Sequence, residues 1–226
     1  FFVKKYGMLY QVIFRCISVM LTLDISNLEH DEAVKRFEEL FPDISTVECS
    51  IYFAAKYSQS KVIRDMVRLI FEKNEVHPDF GWKFALVTDE LLNNAIEHGS
   101  QPGDTNMCVI HAKRDEEKQE FTIALDVHDT GRGEKTTPEA MRKLRINHYF
   151  SMGGVYMKHR GRGLFLMVEK LVDALTFDTS PLWGLNVHVD KRIHLYPESS
   201  TIIVDPSLEE IDKVFEENTP PNSKNS

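Results

Sequence analysis

Cysteine is scarce in this chain, with three residues in 226: Cys16, Cys49 and Cys108. Odd in number and far apart, they fit neither a disulfide framework nor a zinc knuckle, and they point to a reducing cytoplasm. Positive charge is also short. Lys and Arg total 27 against 35 Asp and Glu, a net charge of −8. That balance excludes a protein that coats nucleic acid, and it makes any phosphate chemistry a local matter. A long hydrophobic run is missing too. The apolar stretch Val12 to Leu23 is interrupted by Arg15, whereas a bilayer span takes about 20 apolar residues, so no membrane span is expected. No repeat is visible at solenoid periods. What remains is ordinary globular material, 42% hydrophobic and 27% charged, enough for one domain with appendages.

The first 23 residues begin with Phe1 and place Lys4 and Lys5 before the apolar stretch, as a signal peptide does, yet no small-x-small cleavage site follows. They read as an extra N-terminal strand, or as upstream sequence before a start at Met8 or Met20. Val34, Phe37 and Phe41 predict a short amphipathic helix over 31–41 that stops at Pro42. A strand is expected over 49–57, then a helix over 58–74 capped by serines, with Ile63, Val67 and Ile70 on one face. After the break at Pro78 a longer helix over 79–98 turns Phe84, Val87, Leu91 and Ala95 inward and ends at Gly99.

Strands over 106–113 and 121–128 follow, the second alternating cleanly, with 114–120 as their hairpin turn. From 130 to 160 the only pattern is a short helix near 139–145, and so long a connection reads as a lid. A helix over 161–175 comes next, then strands near 175–179, 185–195 and 201–204. Beyond Pro206, Ser207 and Glu210 form a capping box before an acidic apolar-striped segment, and the last residues read as disordered. The division expected is an N-terminal extension, partly helical, over 1–47; a domain over 48–205 with a lid at about 134–160; and an acidic helix and tail over 206–226.

Chemistry concentrates in three segments: DELLNNAIEHG at 89–99, DVHDTGRG at 126–133 and HRGRGLFLM at 159–167. Glu90, Asn94 and His98 fall at helical spacing and share a face. Taken alone, that is also the pattern of a solvated helix face. Asp129 ends the alternating strand and opens Asp-Thr-Gly-Arg-Gly, where Gly131 and Gly133 permit positive φ and close backbone approach to a ligand; a plain turn has the same composition. Gly161 and Gly163 precede a helix and so aim backbone N–H groups at an anion. Lys158, His159, Arg160 and Arg162 crowd the same place, a cationic island on an acidic chain. His98 either donates a hydrogen bond near the ligand or closes its helix.

Together, in this order and at this spacing, the segments resemble the N box and two glycine boxes of the GHKL ATPase superfamily. The likeness runs over about 48–197 and is nearest to the anti-sigma-factor serine kinases of bacterial partner-switching systems. It implies an α/β two-layer sandwich, with a mixed, mostly antiparallel sheet and helices on one face, holding ATP in a Bergerat-type site. It further implies that Asp129 reads adenine, that Asn94 ligates Mg²⁺ and that Glu90 is the catalytic base. Gly131, Gly133, Arg160, Gly161, Arg162, Gly163 and Leu164 complete the ATP contacts. A hard ion that takes few protein oxygens beside phosphates suits a single Asn ligand.

The function implied is a cytoplasmic serine kinase and anti-sigma factor that phosphorylates a STAS-domain partner, sequesters a sigma factor and forms a homodimer. The alternatives are a nucleotide-gated binding module without kinase activity, or a histidine-kinase-type ATPase domain. The 48 residues before the strand expected at 49–57, the acidic segment after Pro206 and the unaligned stretch 134–158 depart from the family pattern.

Overall fold

The computed structural model describes residues 20–134, 136–151 and 168–195. In chain order these form β1 (Leu21–Asp24), α1 (His30–Leu40), β2 (Thr46–Ala54), α2 (Tyr57–Lys73) and α3 (Pro78–Glu97). Then come β3 (Thr105–Asp115), β4 (Glu120–His128), α4 (Pro138–Ser151), the single turn α5 (Glu169–Leu171), β5 (Ala174–Thr179) and β6 (Leu185–His194). The strands make one six-stranded sheet in the order β1-β2-β3-β4-β6-β5. Only β1 and β2 run parallel; every other pair is antiparallel. This is the mixed-sheet α/β sandwich with helices on one face that the sequence leads one to expect.

Alternation explains the core. Phe121, Ile123, Leu125 and Val127 of β4 are buried, as are Cys49, Ile51 and Phe53 of β2, and they meet Ile63, Val67 and Ile70 of α2 and Phe84, Val87 and Leu91 of α3. Phe71 links the layers, with its ring 5.5 Å from Phe84 and 5.2 Å from Phe121. Cys49 and Cys108 are fully buried, and burial pushes the Cys49 thiol up to about 12, which leaves it a packing residue.

Strand and helix bounds shift by a few residues from expectation. β2 ends at Ala54 because Lys56 takes the extended N-cap position of α2. The expected serine caps are absent: no side chain caps α2, and Ser60 Oγ instead donates to Tyr57 O at 2.9 Å.

The segment before residue 48 shares the core. β1 pairs with β2 from Leu21↔Cys49 to Asp24↔Tyr52, and Ala33 and Phe37 of α1 are fully buried, Phe37 lying 5.0 Å from Phe41.

Within 134–160 the structure shows a helix of 14 residues where the sequence pattern suggests a shorter one. Thr137 Oγ1 accepts from Ala140 N at 3.2 Å at its start. Met141 packs against the core, and two arginines add polar attachments. Arg142 donates to Phe177 O at 2.5 Å and Arg145 to Leu175 O at 2.6 Å, so carbonyls of the edge strand β5 are satisfied by guanidinium groups. The N-terminal segment 1–19, the helix expected before Val168, the strand near 201–204 and the acidic segment after Pro206 lie outside the described residues. Among the described residues, no helix is long and apolar enough to cross a membrane.

Candidate functional site

α3 carries the first part of the site. Pro78 opens it, where a missing N–H costs nothing, and His77 Nδ1 accepts from Asp79 N at 3.4 Å. Its apolar face sinks into the core through Phe84, Val87, Leu91 and Ala95, which leaves Glu90 and Asn94 half-buried on its flank. Asn94 Nδ2 donates to Glu90 Oε1 at 3.0 Å. That bond fixes the amide orientation and leaves Asn94 Oδ1 as the acceptor for a cation. Next to Glu90, Asp89 receives Arg64 of α2 at 3.0 Å. Arg64 also reaches Asp65, and His30 of α1 joins Asp65 at 3.0 Å, so charged bonds bind the helices together behind the site. His98 is the C-cap of α3, its N–H donating to Asn94 O at 3.0 Å, which places it at the helix end.

The glycine loop packs directly on that helix end. Asp129, 7% exposed, continues β4 and pairs its N–H with Leu185 O at 3.1 Å. Its Oδ1 accepts from Gly131 N at 2.8 Å and from Leu185 N at 3.0 Å. Its Oδ2 has no hydrogen-bond partner among the described residues. Burial pushes this carboxyl above the usual range, and the two backbone N–H groups offset that only in part.

Absent side chains shape the surroundings. A Cβ at Gly99 or Gly184 would overlap the Asp129 carboxylate, and one at Gly133 would overlap His98 O. Gly131 has φ +63° and sits so close to the β5–β6 hairpin that its Cβ would lie 2.8 Å from Gly184 Cα. Gly133 N donates to Gly99 O at 3.3 Å and Glu134 N to His98 O at 2.5 Å, closing the loop onto α3. Glu90, Asn94, Asp129, Gly131 and Gly133 are thus gathered at the C-terminal half of α3.

A second buried acid locks the loop from behind. Asp104 Oδ2 accepts from Gln101 N at 2.9 Å and from Thr130 Oγ1 at 2.8 Å, while Oδ1 receives Arg132 at 2.5 Å. Burial alone would raise its carboxyl, but these donors and the Arg132 charge hold it below the usual range. Asp104, Thr130, Arg132 and Gly184 escape a reading of the sequence. The one signal available was that a lone Asp after Pro-Gly is a turn residue, which says nothing of its partner 26 residues on.

The second glycine segment, with Arg160, Gly161, Arg162, Gly163 and Leu164, lies outside the described residues, as do Lys158 and His159. The part that is described combines a buried acceptor, bare backbone and a lone amide oxygen. Asp129 keeps one carboxylate oxygen without a hydrogen-bond partner among the described residues, the glycines leave bare backbone beside it, and Asn94 offers one hard oxygen. Among the described residues no group of three or more His, Cys, Asp or Glu is placed to hold a metal by itself. A cation at Asn94 would therefore draw its other ligands from phosphate and water, as Mg²⁺ habitually does.

A family model described as the histidine kinase-like ATPase domain matches residues 53–188, a span that contains Glu90, Asn94 and Asp129. No curated protein matches the chain.

Proposed function

The chain belongs to the histidine kinase-like ATPase family, and we propose that it is an ATP-responsive switch, in which nucleotide held between α3 and the Asp129 loop sets the affinity for a protein partner. The observation that carries this reading is Asp129: a buried carboxylate with one oxygen saturated by backbone N–H groups, the other without a partner among the described residues, and glycines on either side. Asp129 Oδ2 would accept the adenine amino group. Asn94 would hold Mg²⁺, which when bound supplies charge neutralisation for the phosphates.

Glu90 supports a second reading. A half-buried carboxylate held by Asn94 at 3.0 Å is positioned to take the proton from an incoming serine hydroxyl. On that reading the protein is a cytoplasmic, dimeric serine kinase and anti-sigma factor of the partner-switching type, its substrate a STAS-domain protein and its sequestered partner a sigma factor. The resemblance of the three glycine- and Asn-bearing segments to that group supports it. A histidine-kinase-type ATPase domain would share the same nucleotide site.

Calorimetric titration with ATP, with and without Mg²⁺ and with GTP as control, tests the first reading, which requires adenine-selective, Mg²⁺-dependent binding. Incubation of the same sample with labelled ATP and STAS proteins separates the two. Label on a STAS serine that disappears in Glu90→Ala supports the kinase, and binding without transfer supports the switch alone.

A further inference from the structure

The β5–β6 hairpin carries an anomaly at the mouth of this site. Its connection runs from Ser180 to Gly184 and is held by Ser180 N to Gly184 O at 2.9 Å, Trp183 N to Ser180 O at 3.0 Å and Leu182 N to the Ser180 hydroxyl at 3.0 Å. That turn forces residue 183 into the left-handed region, φ +77°. Glycine or asparagine occupies such a position at least cost, and a bulky side chain there is an outlier. The residue is tryptophan, and it is 91% exposed. A large apolar ring thus stands in water on an unfavourable backbone, the combination that marks functional rather than packing residues.

Its location says what the ring serves. Gly184, the next residue, presses its bare α-carbon on the Asp129 carboxylate, and Leu185 N, one further, donates to Asp129 Oδ1 at 3.0 Å. On the other side the Trp183 carbonyl oxygen lies 2.9 Å from where a Cβ of Gly131 would stand. The backbone of Trp183 therefore lies against the Gly131 loop, two residues before the Leu185 N–H that holds Asp129. We propose that the indole of Trp183 forms the outer wall of the base site and stacks on the purine whose amino group Asp129 accepts. This rests on the nucleotide-binding reading above and adds the aromatic surface that reading lacks. Flat π-faced bases and indoles stack readily, so the ring gains a partner when nucleotide binds.

The chain contains two tryptophans, which makes the proposal directly observable. Trp82 lies 3.9 Å from the Arg68 guanidinium near the start of α3, the opposite end from Asn94 and His98. In the Trp82→Phe protein, Trp183 is the sole indole emitter, and its fluorescence should change on ATP addition with the same midpoint that calorimetry gives. Trp183→Gly should weaken ATP binding about tenfold, yet melt no lower than wild type, because glycine suits the left-handed turn. Trp183→Phe should keep the affinity within about threefold, since a ring remains to stack.

Unchanged fluorescence at calorimetric saturation overturns the proposal, as does wild-type ATP affinity in Trp183→Gly. A lowered melting temperature in Trp183→Gly together with equal weakening in Trp183→Phe assigns the residue to the fold and overturns it too. If the wild-type protein gives no heat with ATP, the nucleotide reading itself falls and stacking falls with it.

Discussion

Asp104 and Asp129 are buried to the same degree, 6% and 7% exposed, and lie on either side of one loop, yet their carboxyls are pushed in opposite directions. Asp104 is saturated: a backbone N–H, a hydroxyl and a guanidinium occupy its two oxygens. Among the described residues Asp129 meets no cation, and only one of its oxygens is used. The first is a finished structural bond. The second is an acid that burial disfavours, with an acceptor oxygen left over among the described residues, as the proposed recognition role requires.

Asp129→Asn breaks that contrast most sharply. The amide keeps an oxygen for Gly131 N and Leu185 N, but it turns a donor toward the adenine amino group, so ATP affinity should fall by more than about a hundredfold. Burial disfavours the charge that the substitution removes, so the free protein should melt at or above the wild-type temperature. Calorimetry and a thermal scan read the two effects. Normal ATP affinity in this variant would remove the base assignment.

Asp104→Ala should do the reverse. Stripping the acceptor from three donors costs about 2 kcal/mol of stability, read as a lower urea midpoint at unchanged slope. Arg132→Ala should cost less than about 1 kcal/mol, since its side chain is 65% exposed and its charge is screened.

A pH series gives the smallest effect and sharpens the comparison further. The folded-state value of Asp129 is raised, so its protonation favours the fold, and ATP binding should weaken as pH falls through that raised value. The folded-state value of Asp104 is lowered, so its contribution is complete above the unfolded value of about 3.9 and is lost only as pH falls through the lower folded one. Acidification should therefore abolish nucleotide binding before it loosens the loop. Loss of both at one pH would count against separate roles.

The elements of this fold were legible where side chains advertise them. The alternation of β4 and the apolar stripes of α2 and α3 placed those elements to within a few residues, and the same regularity made Glu90, Asn94 and Asp129 stand out. Less could be read where the stabilising groups are backbone atoms. Leu185 N and the bare α-carbons of Gly99 and Gly184 complete the Asp129 site, and no residue type in the sequence announces a backbone donor. α4 runs longer than expected for a related reason: beside the core contact of Met141, Arg142 and Arg145 fasten it to carbonyls of β5, and hydrophobic patterning does not register such bonds. The N-terminal extension was set apart from the domain because its motif likeness begins later, whereas burial of Phe37 and the pairing of β1 with β2 depend on contacts that only the folded chain makes.

The bond between Asp129 and Leu185 joins residues 56 apart in the chain, and the ladder beside it pairs Glu120 with His194. By contrast β3 and β4 are joined by a tight hairpin, and α2 precedes α3 by a short turn. Closing the longer loop carries the larger entropic penalty and sets the slower step of assembly. On this topology the hairpin and helix pair are expected to form before β6 docks. On the proposed reading, a nucleotide bound beside Asp129 would therefore bridge β4 and β6, strands whose paired residues lie 58 to 74 positions apart in the chain.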